Sequence, residues 1–327
     1  MQTDSLRPEP ARTAAAAEIY QRQFDPGPLQ LEPELSTLLG AKVYAKYEIF
    51  NPVKSFKLRG ALYLVDTLVN ERGARGFVTV STGNHGAAMA FVCRKYGVPL
   101  TVGVPRDCDA SKVALIEAHS PTLVFHGKDY DETLAYMMSQ EFEPGHFFAH
   151  DGVCPEINAG TSTLGLEIAD QLPDVQVVLV PVGGGALIGG LGAALKDRLK
   201  GVELIGVQAE RSPSMYRSFL AGKQVDSELC DTFASGIAVR NAVPHALELL
   251  REVVDRMLLV SETDMKQAMR SSFEATGHLP EGAGAAALAG AMQLRDELAG
   301  RTVCLLVTGA NVDDTLRSEV LERSANP

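Results

Sequence analysis

Residues 51–61 read NPVKSFKLRGA and decide how the rest of the chain is interpreted. A lysine is by default a solvated surface charge. Lys57, however, lies between Phe56 and Leu58 at the start of an apolar stretch that is predicted to be helical. Partial burial there would lower the pKa of the ammonium group and favour the neutral amine, the form that attacks a carbonyl to give an imine. This segment therefore predicts a reactive lysine.

Outside this segment, short β-branched runs alternate with longer alanine- and leucine-rich segments. This alternation is typical of an α/β protein with a mainly parallel sheet. A helix is predicted to end at Gly97, and Ser261 is a predicted N-cap of a helix that runs to about Thr276. The predicted strands are residues 77–80, 100–104, 122–125, 177–180, 204–207, 257–260 and 302–307.

Three loops with small residues directly follow predicted strands, where open α/β sheets bind their ligands. Residues 81–86 (STGNHG) either approach an anion through their N–H groups or form only a tight turn capped by Ser81. Residues 183–187 (GGGAL) place successive glycines at a helix N-terminus, which predicts a phosphate site. Thr308, in residues 308–311 (TGAN), can hydrogen-bond a ligand, although capping the next turn is the commoner role.

A dinucleotide site is the rival interpretation of the glycine loop. Glu210 follows the next predicted strand, where an acid that binds ribose would lie. However, Ile188 stands where the third glycine of the dinucleotide fingerprint belongs. We therefore favour a single phosphate.

The composition excludes several classes of protein. The 327 residues carry a formal net charge of −11, and scattered basic residues argue against nucleic-acid binding. The five cysteines form no C-x-x-C pair, which indicates a reducing cytoplasm. Residues 175–195 are uncharged, but Pro181 and three glycines favour strand, loop and helix over a membrane span. Residues 1–20 lack a secretory pattern and are expected to form a loose arm.

Residues 51–61 resemble the cofactor-lysine motif of the fold-type-II pyridoxal-phosphate enzymes, and the three loops follow in that family's order and approximate spacing. The resemblance runs from about Pro28 to Asn311. Cysteine and threonine synthases carry an aspartate directly after the cofactor lysine, whereas Leu58 follows here. The chain is thus similar to the serine/threonine dehydratase and serine racemase branch. It ends soon after Thr308, so we expect no C-terminal regulatory domain.

The resemblance implies a fold like that of the tryptophan synthase β chain, with two open, mainly parallel α/β domains. Residues 1–75 and 156–327 would form the large domain that binds the cofactor, and residues 76–155 a small domain that closes over the substrate. The resemblance also implies a homodimer.

The resemblance also assigns the site residues. Lys57 would hold pyridoxal 5'-phosphate as a Schiff base, Phe56 and Asn84 would contact its ring, and Thr308 would face the pyridine nitrogen. The phosphate would bind to Gly183, Gly184, Gly185, Ala186 and Leu187, and the substrate carboxylate to Ser81, Thr82, Asn84 and His85. Ala186 replaces a usual glycine, Ser235 a frequent aspartate, and residues 160–163 (GTST) a usual G-Q-G-T. We expect these changes to bear on the substrate more than on the cofactor.

The activity implied is that of a dehydratase in amino-acid catabolism. It would convert a β-hydroxy amino acid such as serine, threonine or 3-hydroxyaspartate into a 2-oxo acid and ammonia, with Lys57 as the base at Cα. An amino-acid racemase is the nearest alternative, because Thr82 stands where serine racemases carry a catalytic serine. A non-catalytic binding protein is the second alternative, although it would have no chemical need for Lys57.

No metal site is expected. Many serine racemases and some dehydratases hold a divalent cation just after the strand that follows the phosphate-loop helix, and hard cations prefer charged oxygen ligands. Gln208 and Ser214 stand where the carboxylates of the relatives would align. Glu210 is nearby, but Arg211 beside it would form a competing ion pair.

Overall fold

The computed structural model describes residues 6–322, and its strands form two sheets. In the first sheet the strand order is β1-β2-β10-β7-β8-β9, and in the second it is β5-β4-β3-β6. The bounds in chain order are β1 Leu29–Leu31, β2 Lys42–Tyr47, β3 Gly76–Val80, β4 Leu100–Val104, β5 Thr122–Phe125, β6 His146–Phe148, β7 Val177–Pro181, β8 Glu203–Ala209, β9 Arg256–Val260 and β10 Thr302–Val307. Neighbouring strands run parallel except β1, which pairs antiparallel with β2.

The helices cover both faces of the sheets. They are α1 Pro10–Gln21, α2 Pro33–Leu39, α3 Lys57–Arg72, α4 Asn84–Tyr96, α5 Ala110–Glu117, α6 Tyr130–Met138, α7 Pro155–Gln171, α8 Ala186–Arg198, α9 Ser214–Ala221, α10 Pro244–Val253, α11 Glu262–Thr276, α12 Gly282–Gln293, α13 Arg295–Leu298 and α14 Asp314–Leu321. None of the helices in residues 6–322 combines the length and apolarity that a membrane crossing requires.

The central strand β7 shows why the larger sheet needs helices on both faces. Val178 and Val180 pack into the core beneath α7, α8 and α10, whereas Val177 and Leu179 pack into the core beneath α11 and α12. Successive side chains of a strand point to opposite faces, so a strand that is apolar throughout must be covered twice. The mainly parallel α/β fold that the sequence predicts is confirmed.

The helix that begins at Lys57 connects the two sheets. Leu58, Leu62 and Val65 of α3 pack into the core of the smaller sheet together with Phe77 and Val102. The same helix lies against α7, which covers the larger sheet. Lys57 therefore stands at the junction between the two layers.

The predicted strands all occur, some of them one to three residues longer. Ser261 caps α11 in a capping box with Asp264, and Gly97 follows α4 in the left-handed conformation, with φ 68°. Strand β2 was missed because Lys42 and Lys46 interrupt its apolar pattern, and in the structure Lys46 is buried against Glu167. Strands β1 and β6 were missed because each has only three residues, too few for a periodicity to be visible.

The loose arm expected for residues 1–20 is wrong for its described part. Residues 10–20 belong to α1, and Ala16 and Tyr20 are buried. Alanine favours helix, and its small side chain lets α1 lie close to Tyr63 and Ala159. The expectation for Met1 to Ser5 lies outside the described residues.

Candidate active site

A cavity of about 630 Å³ opens between the two sheets at the carboxyl ends of their strands. It brings together all the site residues that the sequence singles out, although they come from four distant segments. These are Phe56, Lys57, Ser81, Thr82, Asn84, His85, Gly183, Gly184, Gly185, Ala186, Leu187 and Thr308. Asn311 and Ser235 also line it, whereas the buried segment 160–163 in α7 is not among its lining residues. Segment 160–163 adjoins the cavity lining through the Thr161 hydroxyl, which donates to the Ala186 carbonyl at 3.0 Å, and the expected bearing of its departure on the substrate stays a prediction.

Lys57 is the first residue of α3, and the turn before it is held by its own hydrogen bonds. The Asn51 side chain accepts the N–H groups of Val53 and Ser55, at 3.1 and 3.3 Å. The Phe56 N–H donates to the carbonyl oxygen of Thr308, at 2.9 Å. The lysine segment and the loop after β10 are thus joined through the backbone, which sets where Lys57 enters the cavity.

The nearest charge to Lys57 is a carboxylate that the sequence analysis missed. The Lys57 ammonium group donates to Oδ2 of Asp151, three residues beyond β6. Burial would raise the pKa of Asp151, but the charge and hydrogen bond of Lys57, together with the nearby His85 and His150, outweigh burial and hold it well below its ordinary value. The expected apolar environment of Lys57 is therefore incomplete, because the structure places a carboxylate within hydrogen-bond distance of its Nζ. Nothing local to residues 51–61 indicates a partner 94 residues away.

Residues 81–86, the loop after β3, form a tight turn capped by Ser81 and also meet the requirements of an anion site. The Ser81 hydroxyl accepts the N–H groups of Gly83 and Gly86, at 3.1 and 2.9 Å, so its side chain caps the turn. Within residues 6–322, no hydrogen bond uses the N–H of Thr82, Asn84 or His85. These three residues line the cavity together with Lys57, so their N–H groups at the start of α4 are available for a carboxylate.

The glycine loop after β7 leaves further N–H groups free. No hydrogen bond in the described chain uses the N–H of Gly183, Gly184 or Gly185, and Gly185 caps α8 with φ 99°. The loop is close-packed from behind, because a Cβ on Gly183 would lie 3.0 Å from the Gly236 carbonyl oxygen. A Cβ on Gly184 would meet no atom closer than 4.0 Å. These features form a cradle for one phosphate.

The dinucleotide alternative finds no support in this arrangement. Ile188 is fully buried in α8, and the exposed Glu210 is not among the residues that line the cavity. An acid that binds ribose would have to lie beside the cradle.

Asn84 is held in one orientation by two other polar side chains. Its Nδ2 donates to Glu281 Oε1 at 2.7 Å, and its Oδ1 accepts from Asn311 Nδ2 at 2.8 Å. Burial raises the pKa of Glu281 to about 7. Glu281 was missed by the sequence analysis, and the only sequence signal for it is its position directly before the glycine-rich start of α12.

A third missed group links the two sheets across the cavity. Arg240 Nη1 donates to Asp129 at 3.0 Å and to Asp131 at 2.8 Å, and all three residues line the cavity. Arg240 belongs to the chain between β8 and β9, whereas the aspartates lie at the start of α6 beside the smaller sheet. The ion pairs of Arg240 therefore connect the two sides of the cavity.

Uncharged hydrogen bonds engage Gln208 and Ser214, the two positions that the sequence analysis considers for a metal site. Gln208 Oε1 accepts the Tyr216 N–H at 2.8 Å, and the Ser214 hydroxyl donates to the Val239 carbonyl at 2.7 Å. Within residues 6–322, no cluster of three or more histidine, cysteine or acidic residues has a geometry that could hold a metal ion.

Comparison with known proteins gives a consistent picture. A family model described as pyridoxal-phosphate dependent enzyme matches residues 21–309. The L-threonine ammonia-lyase of Geobacter sulfurreducens is 37% identical over 289 residues, which cover 88% of this chain and 72% of that protein. The catabolic L-threonine dehydratase of Staphylococcus aureus is 33% identical over 287 residues, covering 87% of this chain and 83% of that protein.

Solved structures show the same architecture. The processed form of threonine deaminase isoform 2 from Solanum lycopersicum superposes with a TM-score of 0.86 at 27% identity, covering 100% of this chain and 97% of that one. Maize serine racemase gives a TM-score of 0.87 at 24% identity, with 96% of each chain covered, which concerns the fold alone.

Proposed function

This chain belongs to the family of pyridoxal-phosphate-dependent enzymes, and we propose that L-threonine or L-serine is its substrate. It is a dehydratase of the ammonia-lyase type, which turns a β-hydroxy amino acid into a 2-oxo acid and ammonia. Relatives named for L-threonine, at 33–37% identity over most of the chain, support threonine as substrate. The convergence of Lys57, the glycine cradle, residues 81–86 and Thr308 on one cavity carries the proposal.

The residues present fit the cofactor. The free N–H groups from Gly183 to Gly185, continued by Ala186 and Leu187 at the start of α8, would hold its phosphate. Lys57 would carry it, Phe56 and Asn84 would contact its ring, and the Thr308 hydroxyl would meet the ring nitrogen. When bound, pyridoxal phosphate supplies an electron sink for the charge that develops at Cα.

The chain's own groups would do the remaining work. The N–H groups of Thr82, Asn84 and His85 would hold the substrate carboxylate, which fixes Cα beside Lys57. The Lys57 amine would take the Cα proton at Nζ, and Asp151 would stabilise the resulting ammonium group. Thr308 is a neutral partner and does not enforce a protonated ring nitrogen, which favours prompt loss of the β-hydroxyl.

We also propose the domain boundaries, the homodimer and the cytoplasmic location on the grounds given by sequence. The division into residues 76–155 and the rest is supported by the second sheet, whose strands run from Gly76 to Phe148. Light scattering of the purified protein tests the dimer.

The decisive experiment is an assay of 2-oxo-acid release from L- and D-serine, threonine, 3-hydroxyaspartate and phenylserine. We expect L-threonine or L-serine to give the highest kcat/KM, and Lys57→Ala to lose activity by about three or more orders of magnitude, since base and cofactor anchor are lost together. Release from none of these compounds by the cofactor-loaded protein would reject the dehydratase. The racemase alternative predicts interconversion of D- and L-serine that Thr82→Ala abolishes while elimination persists.

A further inference from the structure

Two hydrogen-bond acceptors face each other in the cavity without a donor between them. Oδ1 of Asp151 is buried and has no hydrogen-bond partner among residues 6–322. It lies 4.0 Å from Nδ1 of His85, to which no hydrogen bond is made within residues 6–322. Buried acceptors without donors are costly, so this gap is shaped for a group that brings hydrogens.

The hydrogen bonds of Thr79 determine which nitrogen of His85 is bare. The Thr79 hydroxyl donates its single hydrogen to the Ala149 carbonyl at 2.6 Å. In its 3.0 Å contact with His85 Nε2, the Thr79 oxygen therefore acts as the acceptor, and Nε2 carries the hydrogen. Burial lowers the pKa of His85, so the ring is neutral near pH 7 and Nδ1 presents a lone pair.

The second oxygen of Asp151 connects this gap with the reactive lysine. Oδ2 accepts a hydrogen bond from Lys57 Nζ, while Oδ1 of the same carboxylate faces His85. A group bound between Asp151 and His85 would thus lie beside the nitrogen that takes the Cα proton. The carboxylate of the substrate would be held by the N–H groups of residues 82–85 and its amino group would be joined to the cofactor, so the β-hydroxyl is the polar group left for this gap.

We propose that Asp151 and His85 form the binding site for the leaving group, accepting hydrogen bonds from the β-hydroxyl and then from the water that it becomes. The proposal rests on the dehydratase function proposed above. The Cα–H bond breaks and its proton passes to Lys57 Nζ. The electron pair left at Cα forms the Cα=Cβ double bond while the Cβ–O bond breaks with its own pair on oxygen. The Lys57 ammonium group returns the proton to that oxygen, which departs as water.

The two acceptors match the departing water better than the bound alcohol. A hydroxyl offers one hydrogen, whereas water offers two, one for Asp151 Oδ1 and one for His85 Nδ1. Hydrogen bonds that appear only as the leaving group departs stabilise the transition state more than the ground state, and so they raise kcat. His85 thereby serves in two ways, through its backbone N–H toward the carboxylate and through its ring toward the leaving group.

The test compares leaving groups. Chloride leaves β-chloro-L-alanine without a proton, so this substrate has no use for the two acceptors. We expect Asp151→Asn to lower kcat/KM for L-serine about 100-fold or more, and for β-chloro-L-alanine less than about 10-fold. The matched control, Asp131→Asn, removes the same charge from the cavity but touches neither Lys57 nor His85. It should change both substrates by the same factor.

A second variant and a binding measurement keep the test independent of folding and turnover. His85→Gln keeps a donor toward Thr79 but removes Nδ1, and it should show the same selective loss for L-serine. In a Lys57→Ala background, which does not turn over, absorption titration should show tighter binding of L-serine than of L-alanine. Adding Asp151→Asn should remove that preference, while the melting temperature reports on folding.

The outcomes separate the two proposals. Equal losses on both substrates would show that Asp151 only positions Lys57 and would overturn the leaving-group site, with the dehydratase intact. An unchanged preference for L-serine in the binding titration would overturn it as well. Turnover of β-chloro-L-alanine by the wild type without turnover of any hydroxy amino acid would reject the dehydratase itself.

Discussion

At the scale of single residues, the cavity is governed by charged groups with restricted partners. Lys57 is paired with Asp151 and its side chain is only 16% exposed, whereas Lys54 lies in the same segment on an exposed turn. The resting chain thus holds its reactive nitrogen as an ion pair, in a position set by the backbone contact between Phe56 and Thr308. We therefore expect the imine with the cofactor to form at Lys57 and not at other lysines.

We predict that borohydride reduction of the cofactor-loaded protein attaches the cofactor to Lys57. Peptide mass mapping should place the adduct there and leave Lys54 and Lys112 unmodified, although Lys112 lines the same cavity. Lys57→Ala should fold, with a circular dichroism spectrum like that of the wild type, but it should give no adduct. An adduct on Lys112 in the wild-type protein would show that the lysine has been assigned wrongly.

We predict a pH-dependent stability contribution from Glu281. Its pKa is raised by burial from 4.5 to about 7, so the folded protein binds this proton more tightly than the unfolded chain does. Stability from this group is fully present below pH about 4.5 and is lost as the pH rises through about 7. Glu281→Gln mimics the protonated form and should remove the loss.

The measurement is the melting temperature of the apoprotein between pH 5 and pH 8. The difference between Glu281→Gln and wild type should be near zero at pH 5 and positive at pH 8. Glu210→Gln, an exposed acid outside the cavity, is the control, and it should show no such trend. A difference that stays constant across this range would mean that Glu281 is ionised throughout.

At the scale of elements, the site is built by helix starts and the loops before them. Helices α4 and α8 both begin at the cavity, and each presents N–H groups that no carbonyl of the described residues accepts. These N-termini carry partial positive charge, which suits one carboxylate and one phosphate. The loops differ in how they are held, since Ser81 caps the first and close packing supports the second.

We predict that alanine has different effects at two neighbouring glycines of the cradle, lowering stability at Gly185 and weakening cofactor binding at Gly184. Gly185 has φ 99°, and a Cβ there would lie 2.8 Å from Leu250 Cδ1, so Gly185→Ala should destabilise the apoprotein by about 1–3 kcal/mol. A Cβ at Gly184 would meet no atom closer than 4.0 Å, so Gly184→Ala should leave the apoprotein stable. Its methyl group adds bulk to the cavity lining and should weaken cofactor binding about tenfold or more.

Chemical denaturation of the apoproteins and cofactor titration by absorbance measure these effects separately. If Gly184→Ala bound the cofactor as tightly as wild type, the phosphate would have to lie elsewhere.

We predict that activity needs no divalent metal. In place of charged ligands, Gln208 fixes the start of α9 and Ser214 fixes the loop that carries Arg240, through its bond to Val239. Exhaustive chelation should therefore leave both activity and melting temperature unchanged, and added magnesium or calcium should have no effect. An increase in activity of more than a few-fold when magnesium or calcium is added back would mean that Glu210 or backbone carbonyls form a metal site.

At the scale of the whole molecule, a buried ionic cluster connects elements that are far apart in sequence. Arg59 has no exposed side-chain area, and its guanidinium binds Glu48 after β2 and Glu167 of α7. Tyr20 of α1 lies over it at 4.2 Å, and Lys46 completes the cluster through Glu167 at 2.6 Å. The cluster fixes the first turn of α3, the turn that presents Lys57.

We predict that Arg59→Met destabilises the protein by about 3–5 kcal/mol, because it leaves two buried carboxylates with too little positive charge. The control is Arg198→Met, which breaks an ion pair with Asp170 whose side chains are both more than half exposed. It should cost about 0–1 kcal/mol. Urea denaturation gives both values, and equal values would mean that the Arg59 cluster is not closed to water.

Local sequence patterns were enough to predict the fold class, most strands and the loops that carry the site. These features are local, because β-branched runs, glycines at left-handed turns and caps such as Ser261 act within a few residues. The segment at 51–61 and the loops at 81–86, 183–187 and 308–311 meet in one cavity because parallel strands end at the same edge.

The tertiary structure alone decided which charges meet. Asp151 reaches Lys57 across 94 residues, Glu281 reaches Asn84 across 197, and Arg240 reaches Asp131 across 109. Asp151, Glu281 and Arg240 are residue types that usually lie on the surface, and their local segments show no distinctive pattern. Neither periodicity nor turn chemistry therefore identifies them as partners. The tautomer of His85 likewise depends on Thr79 and Ala149, which only the packing of β3 against the end of β6 brings together. Electrostatic partners are set by proximity in space, and proximity in space is what the folded chain adds to its sequence.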